Sequence, residues 1–208
     1  MSRRAADKLI AEERVEFNGA PAAVGNDVGP NDTVSLDGNI LKVEAKTVTI
    51  MLNKPVGYVV SRDGQGSKTI YELLPPELHS LKPVGRLDKD SSGLLLLTSD
   101  GTLAHELTHP SFQKVKVYEI VLRGPLAPLH QQMISDHGVM LEDGNSQLQL
   151  ERSKDRDDKH WKVTMHEGRN RQIRRTFNSL GYDVVKLHRT NFGSYGLDGL
   201  KIGDIKEI

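Results

Sequence analysis

The chain is 208 residues long and carries 28 basic and 28 acidic side chains, so its formal charge is zero. Apolar residues make up 37% and charged residues 27%, a globular balance too hydrophobic for wholesale disorder. The complete lack of Cys excludes disulfides, Cys-ligated zinc, iron–sulfur clusters and thiol nucleophiles. No apolar run approaches the ~18 residues of a membrane span, and Met1-Ser2-Arg3-Arg4 is not followed by the apolar stretch of a signal peptide. A cytoplasmic protein that does not engage membranes is therefore expected.

In chain order, residues 2–17 open with a helical pattern that puts Ala5, Leu9 and Ile10 on one face. Asn18-Gly19 then reads as a hairpin turn, because both residues tolerate positive φ. Strands are predicted at Val15–Phe17 and Thr33–Leu36, and 41–46 reads as a linker or crossing strand. Residues 1–45 hold so few large apolar groups that their core must be thin. From Thr47 the pattern changes, so the chain divides into a module of 1–45 and a larger domain of 46–208. Val48, Ile50 and Leu52 alternate as in a strand, and Pro55-Val56-Gly57 turns the chain into Tyr58-Val59-Val60. A short helix near Ile70–Leu74 is stopped by Pro75-Pro76. Leu94–Leu97 is a buried strand closed by the turn Ser99-Asp100-Gly101. Helices follow at Leu103–Leu107 and Ala127–Ser135, with a strand at Val115–Leu122 between them. Strands at Gln147–Leu150 and Trp161–Met165 flank a charged tip at 154–159. A helix over Asn170–Leu180 ends at Gly181, and Val184–Leu187 is a final strand. This irregular interleaving predicts an α+β fold with a mixed, largely antiparallel sheet flanked by helices.

Charge is segregated along the chain. Residues 1–45 have five basic and eight acidic side chains, net −3, and the remainder is net +3. Within 166–189 there are six Arg or Lys and two Asp or Glu. With a neutral average, any nucleic-acid site must come from such segregation, and the positive charge is concentrated there.

Three stretches could carry chemistry. His105-Glu106-Leu107-Thr108-His109 matches the letters of a zinc helix, but Pro110 disfavours helical geometry at His109 and no third ligand follows at a recognisable spacing. These histidines are read as surface or loop residues, with no metal, and a metallohydrolase stands as the least favoured function. Val84-Gly85-Arg86-Leu87-Asp88-Lys89-Asp90-Ser91-Ser92-Gly93, set before four leucines, places two carboxylates on a tight loop at the edge of a buried strand. That is a rigid mount for a catalytic group, although a loop of solvated charges fits as well. Glu167-Gly168-Arg169-Asn170-Arg171-Gln172-Ile173-Arg174-Arg175 puts arginines on neighbouring helical turns. They suit phosphate contacts, and one facing inward could pair with a carboxylate.

Together these segments resemble the RsuA-type family of ribosomal RNA pseudouridine synthases. Asn53-Lys54-Pro55-Val56-Gly57 is similar to the family's first catalytic-domain motif. Gly85-Arg86-Leu87-Asp88, with Ser92-Gly93 and the four leucines, resembles its active-site loop. Lys116-Val117-Tyr118-Glu119-Ile120 and the stretch 167–175 resemble its tyrosine and arginine motifs, and Gly196-Leu197 its apolar pocket position. Ser2–Ile10 and Val15–Gly19 resemble an S4 RNA-binding domain without its opening helix. The resemblance implies isomerisation of a uridine to pseudouridine in ribosomal RNA, 23S in preference to 16S, by a monomer that needs neither cofactor nor metal. It assigns catalysis to Asp88, Tyr118 and Arg174, with Arg174 as the guanidinium that keeps Asp88 ionised in a nearly dry pocket. Leu197 and Arg86 would line the substrate pocket, and Lys54, Arg169, Arg171 and Arg175 would contact RNA phosphates. The competing reading is a non-catalytic rRNA-binding or ribosome-assembly module. Such a module would use the same basic helix without needing Asp88 beside it.

Overall fold

The computed structural model describes all residues except Ser2, 43–46 and 154–156, together with the side chain of Pro110. Most of the 41–46 linker and the outer part of the charged tip at 154–159 lie outside the described residues. Two compact units are present, Met1–Lys46 and Thr47–Ile208. Among the described residues no helix is long and apolar enough to cross a membrane.

The first unit contains helix α1 (Arg3–Ala11) and strands β1 (Val15–Phe17), β2 (Ala20–Pro21), β3 (Val34–Leu36) and β4 (Asn39–Ile40). Its four strands run in the order β2-β1-β3-β4. The β1–β2 turn is made by Asn18 and Gly19, both at positive φ, as their residue types predict. Asp37-Gly38 repeats the device between β3 and β4. The helix buries no residue completely, and among the described residues of this unit only Ser35 is fully buried.

The second unit is built on β5 (Thr49–Lys54), β6 (Lys82–Val84), β7 (Ser92–Thr98), helix α2 (Gly101–Thr108), β8 (Lys116–Leu122), α3 (Pro128–Gln132), the β9–β10 hairpin (Val139–Leu141, Gly144–Ser146), β11 (Gln149–Arg152), β12 (His160–Met165), α4 (Gln172–Ser179), β13 (Val184–Phe192), β14 (Tyr195–Gly196) and β15 (Ile205–Glu207). One mixed sheet runs β11-β12-β8-β13-β7-β5-β15, with β6 added to β7 and β14 to β13. Every described pairing in it is antiparallel except β13 on β7, so the expected α+β class with a largely antiparallel sheet is what forms.

The leucine run has a direct physical reason. Leu95 and Leu97 face the main core, whereas Leu94 and Leu96 face a second cluster with Val84, Leu107 and Phe192. A strand buried on both faces must be apolar throughout, and all four side chains have 0% exposure. Where β7 meets β13, the pairing His188↔Ser92 and Arg189↔Gly93 brings the two backbones close. A Cβ at position 93 would lie 2.2 Å from the Arg189 carbonyl oxygen, and Gly93 has φ +109°. Only glycine permits this junction.

After the turn at 55–57, Val59 makes a single bridge to Thr69. Several elements differ from expectation. Residues Ile70–Leu73 make a 3-10 turn, and α3 is cut short at Gln132 by a π turn over Met133–His137. Helix α2 starts at Gly101 because the Asp100 carboxylate accepts from the Thr102 and Leu103 amides at 2.8 and 3.1 Å. At its other end His109 has ψ 132°, outside the helix, as Pro110 requires. The His105 and His109 rings still lie 4.8 Å apart, but no cluster of three or more potential metal ligands forms among the described residues. Helix α4 starts at Gln172 rather than Asn170, because Arg171 adopts a left-handed conformation at φ 47°.

Candidate active site

The loop between β6 and β7 carries Asp88. Gly85 turns at φ +71°, Leu87 is buried in the core, and the Ser91 amide donates to the Asp88 carbonyl at 3.1 Å. This loop rests on Lys54, which has 0% exposure and donates from Nζ to the carbonyls of Pro55 (3.0 Å), Asp88 (3.1 Å) and Ser91 (2.8 Å). Its three N–H groups are thus all spent on backbone. Burial pushes the Lys54 ammonium down to about 8, against the attraction of Asp88 and then Asp90. Lys54 was expected to contact RNA phosphate. It is instead an internal strut, because a fully buried ammonium must be satisfied where it sits.

The ion pair expected between Asp88 and Arg174 is replaced by another. Arg171 Nη1 donates to Asp88 Oδ2 at 3.3 Å, and its two terminal nitrogens grip the Asp90 carboxylate at 3.0 Å each. Arg174 reaches Asp90, with Nε 3.3 Å from Oδ2 and Nη2 donating to the Asp90 carbonyl at 3.0 Å, while Nη1 donates to the Val184 carbonyl. The left-handed turn at Arg171 is the reason. It takes this residue off the helical wheel and aims its side chain at the loop. Arg171 holds the Asp90 carboxyl below its ordinary value, and burial lowers the Arg174 guanidinium despite Asp90. Asp88 is 36% exposed, so the nearly dry pocket is not closed in the free chain. A half-exposed pair of this kind contributes at most ~1 kcal/mol to stability, and its use is to orient the carboxylates.

A cavity of about 1020 Å³ opens beside this loop, lined by Arg86, Asp88, Tyr118, Met165, Arg171 and Leu187 among others. Tyr118, 7% exposed, presents its ring from β8. Arg86 is exposed on the cavity wall and, among the described residues, has neither hydrogen bond nor ion pair. Leu197 is not part of this lining; it packs beside the second core cluster, with Met51 and Leu96. The apolar wall is supplied instead by Leu187, Met165 and Ile173, which sequence reasoning missed. The signal for Met165 and Leu187 was the alternation of β12 and β13, and for Ile173 the buried face of α4, all read as core.

The other expected RNA contacts also have internal partners. Arg169 donates to Asp143 and to the carbonyls of Gly144 and Asn145, and Arg175 grips Asp143 at 3.0 and 2.6 Å. Both arginines tie the β9–β10 turn to α4. A cation already gripped by a carboxylate is a poor first contact for a phosphate.

One carboxylate on a braced loop, a guanidinium against it, and an aromatic ring on an apolar wall are gathered at one cavity. A family profile described as RNA pseudouridylate synthase matches residues 48–179. Over its whole length this chain is 36% identical to the ribosomal large subunit pseudouridine synthase B of Bacillus subtilis (strain 168), covering 86% of it. The protein of that name from Xanthomonas campestris is 38% identical over 210 residues, and there the chain spans only 42% of the relative. A solved pseudouridylate synthase superposes with TM-score 0.73 at 30% identity, covering all of this chain and 90% of that one. The chain belongs to the RNA pseudouridylate synthase family. It is an RNA pseudouridine synthase, and its relatives lie in the RsuA-type branch.

Proposed function

We propose that this enzyme isomerises a uridine of ribosomal RNA, of the large subunit in preference to the small, with Asp88 as the reacting carboxylate. The observation that carries this is the Asp88 carboxylate 3.3 Å from Arg171 at the mouth of the cavity that Tyr118 lines. The names of the relatives favour the large-subunit substrate. The reaction breaks the N1–C1′ bond of uridine, turns the freed base, forms a C5–C1′ bond and releases the C5 proton, while a proton is taken up at N1. Atoms and electrons balance without a redox partner, so no cofactor or metal is needed.

The target nucleotide must leave its helix, which costs a few kcal/mol. Stacking on Tyr118 and packing on Leu187 and Met165 offset part of that cost. Arg86, exposed and unpaired, is placed to fill the gap in the RNA or to grip a phosphate. Filling the open cavity with the nucleotide would exclude water from Asp88, and Arg171 would then keep the carboxylate charged in drier surroundings. Arg174 acts through Asp90 as a positioning residue. Residues 1–45 serve as an S4-like module and 46–208 as the catalytic domain, working as a cytoplasmic monomer. The test is Asp88→Asn, assayed by mapping pseudouridine in rRNA transcripts. Turnover should fall by at least ~10⁴-fold, the scale of losing a covalent nucleophile, with RNA binding kept. Retained turnover would remove Asp88 from the chemistry.

A further inference from the structure

We propose that Arg189 and Lys116 form an oxyanion-binding subsite beside Tyr118, which receives an anionic oxygen of the RNA substrate. This rests on the reading of the cavity as the uridine pocket, and extends it to a pair of cations that the resemblance leaves without a role.

Both side chains line the cavity. Arg189 is the cross-strand partner of Tyr118 between β13 and β8, and Lys116 precedes Tyr118 by two positions on the same strand face. Arg189 is only 2% exposed. Its Nε donates to the Leu94 carbonyl at 2.8 Å, and its buried Nη2 has no hydrogen-bond partner. No carboxylate pairs with it among the described residues. Lys116 is its neighbour, and it makes one long hydrogen bond, from Nζ to the Lys114 carbonyl at 3.3 Å. The two cations share the ring of Phe192, with Arg189 Cζ 4.8 Å and Lys116 Nζ 5.3 Å from its centroid. Burial first, and then the charge of Arg189, lowers the Lys116 ammonium, while Glu167 opposes this. The Glu167 carboxylate is itself engaged by Arg169 at 3.2 Å and by Gln172.

Buried cations in folded proteins are paired, because leaving one uncompensated is costly. The four arginines at 169–175, none of them fully buried, each have a carboxylate among Asp88, Asp90, Asp143 and Glu167, and the fully buried Lys54 is satisfied by three carbonyls. Arg189, also buried, and the partly buried Lys116 have no carboxylate partner among the described residues, and the Arg189 Nη2 has no acceptor. A ring face offsets only part of the deficit. An anion entering the cavity would supply the rest, and the substrate offers two sources. One is the phosphodiester next to the flipped nucleotide, charged from the outset. The other is the uracil oxygen that gains charge as the N1–C1′ electron pair passes to the base, where a fixed cation lowers the barrier.

The test uses the full chain and an rRNA transcript, comparing wild type with Lys116→Met and Arg189→Lys. Readouts are RNA affinity at several salt concentrations and the single-turnover rate of pseudouridine formation. If the phosphodiester is the ligand, Lys116→Met weakens binding about tenfold and lowers the salt slope by about one. If the uracil oxygen is the ligand, affinity and slope stay as in wild type and the rate on bound RNA falls at least ~10-fold. Either result supports the subsite and names its occupant. Unchanged affinity, slope and rate in Lys116→Met would overturn it. Thermal melting shows whether Arg189→Lys, which removes the bond to Leu94, still folds; if it does not, Lys116→Met decides alone. A wild-type chain that forms no pseudouridine in rRNA would instead refute the proposed function, and the salt slopes would still report on the subsite.

Discussion

Two arginines three positions apart do different work around one loop, and the difference is testable side by side. Arg171 holds both carboxylates through a fork of hydrogen bonds, whereas Arg174 holds the loop backbone and the Val184 carbonyl. Arg171→Lys keeps the charge and loses the fork, so the single-turnover rate should fall by roughly 10- to 100-fold with little change in melting temperature. Arg174→Lys should behave in the opposite way, losing roughly 1–3 kcal/mol of stability with a smaller effect on rate. The motif at 167–175 was legible as the source of the guanidinium, but which residue supplied it was not. A wheel drawn through 170–180 cannot foresee one left-handed residue at its start. Lys54 was illegible for a different reason: a lysine that spends all three donors on carbonyls has the same letter as one that meets phosphate. Its chemistry makes a separate prediction. Above pH 8 the neutral amine has two donors for three carbonyls, so turnover should decline as pH rises through about 8. Stability should move the other way. Between about 8 and the ordinary lysine value of 10.5 the unfolded chain holds a proton that the native site has lost. By linkage the Lys54 contribution, read as wild type minus Lys54→Met in urea titrations, therefore rises with pH across that window. A flat difference would show that burial does not lower the Lys54 ammonium, and an activity profile without a basic limb near 8 would show that the ammonium is not what braces the loop.

At the scale of elements, the active-site loop and the arginine-bearing helix are joined through the parallel contact of β7 with β13. That contact exists because Gly93 has no side chain. Gly93→Ala would press a methyl group into the backbone of Arg189 at a φ that L-residues avoid. Strands buried on both faces cannot move apart without opening both cores, so the cost should be at least ~3 kcal/mol. Equilibrium unfolding would measure it, and a loss under ~1 kcal/mol would mean that the junction relaxes without effort. The elements that sequence reading placed well are those whose burial follows from local pattern: the leucine strand, β8, β12 and the end of α4 at Gly181. Those it missed or shortened, including β6, β15 and the second half of β13, owe their pairing to distant partners. Lys82–Val84 is a strand because β7 lies beside it, and Ile205–Glu207 because β5 has a free edge. Nothing in three residues announces that. The pocket wall was lost in the same way: Leu187 and Met165 alternate like any core residue, and only the cavity beside them marks their use.

Over the whole molecule, stability and charge are distributed unequally between the two units. The unit Thr47–Ile208 contains the candidate site, and essentially all of the fully buried side chains among the described residues belong to it. In Met1–Lys46 only Ser35 is fully buried among the described residues, α1 buries none, and the strands are two or three residues long. The shortage of large apolar residues before position 46 made this thin core legible from composition. The neutral net charge likewise concealed an arginine cluster that is mostly neutralised from within, which composition cannot show. Hydrogen bonds over so small a core open locally without global unfolding. In native-state hydrogen exchange, the amides of β1–β4 should therefore exchange at least ~100-fold faster than those of β5, β7 and β8. Thermal unfolding should show one main transition, belonging to 47–208. Deletion of residues 1–46 should move that transition by only a few degrees and leave the rate on bound RNA within about tenfold, because none of the residues lining the cavity is removed. If protection in β1–β4 matched that of β7, the first unit would have to gain its stability from more than its own residues, and the deletion would then lower both melting temperature and rate.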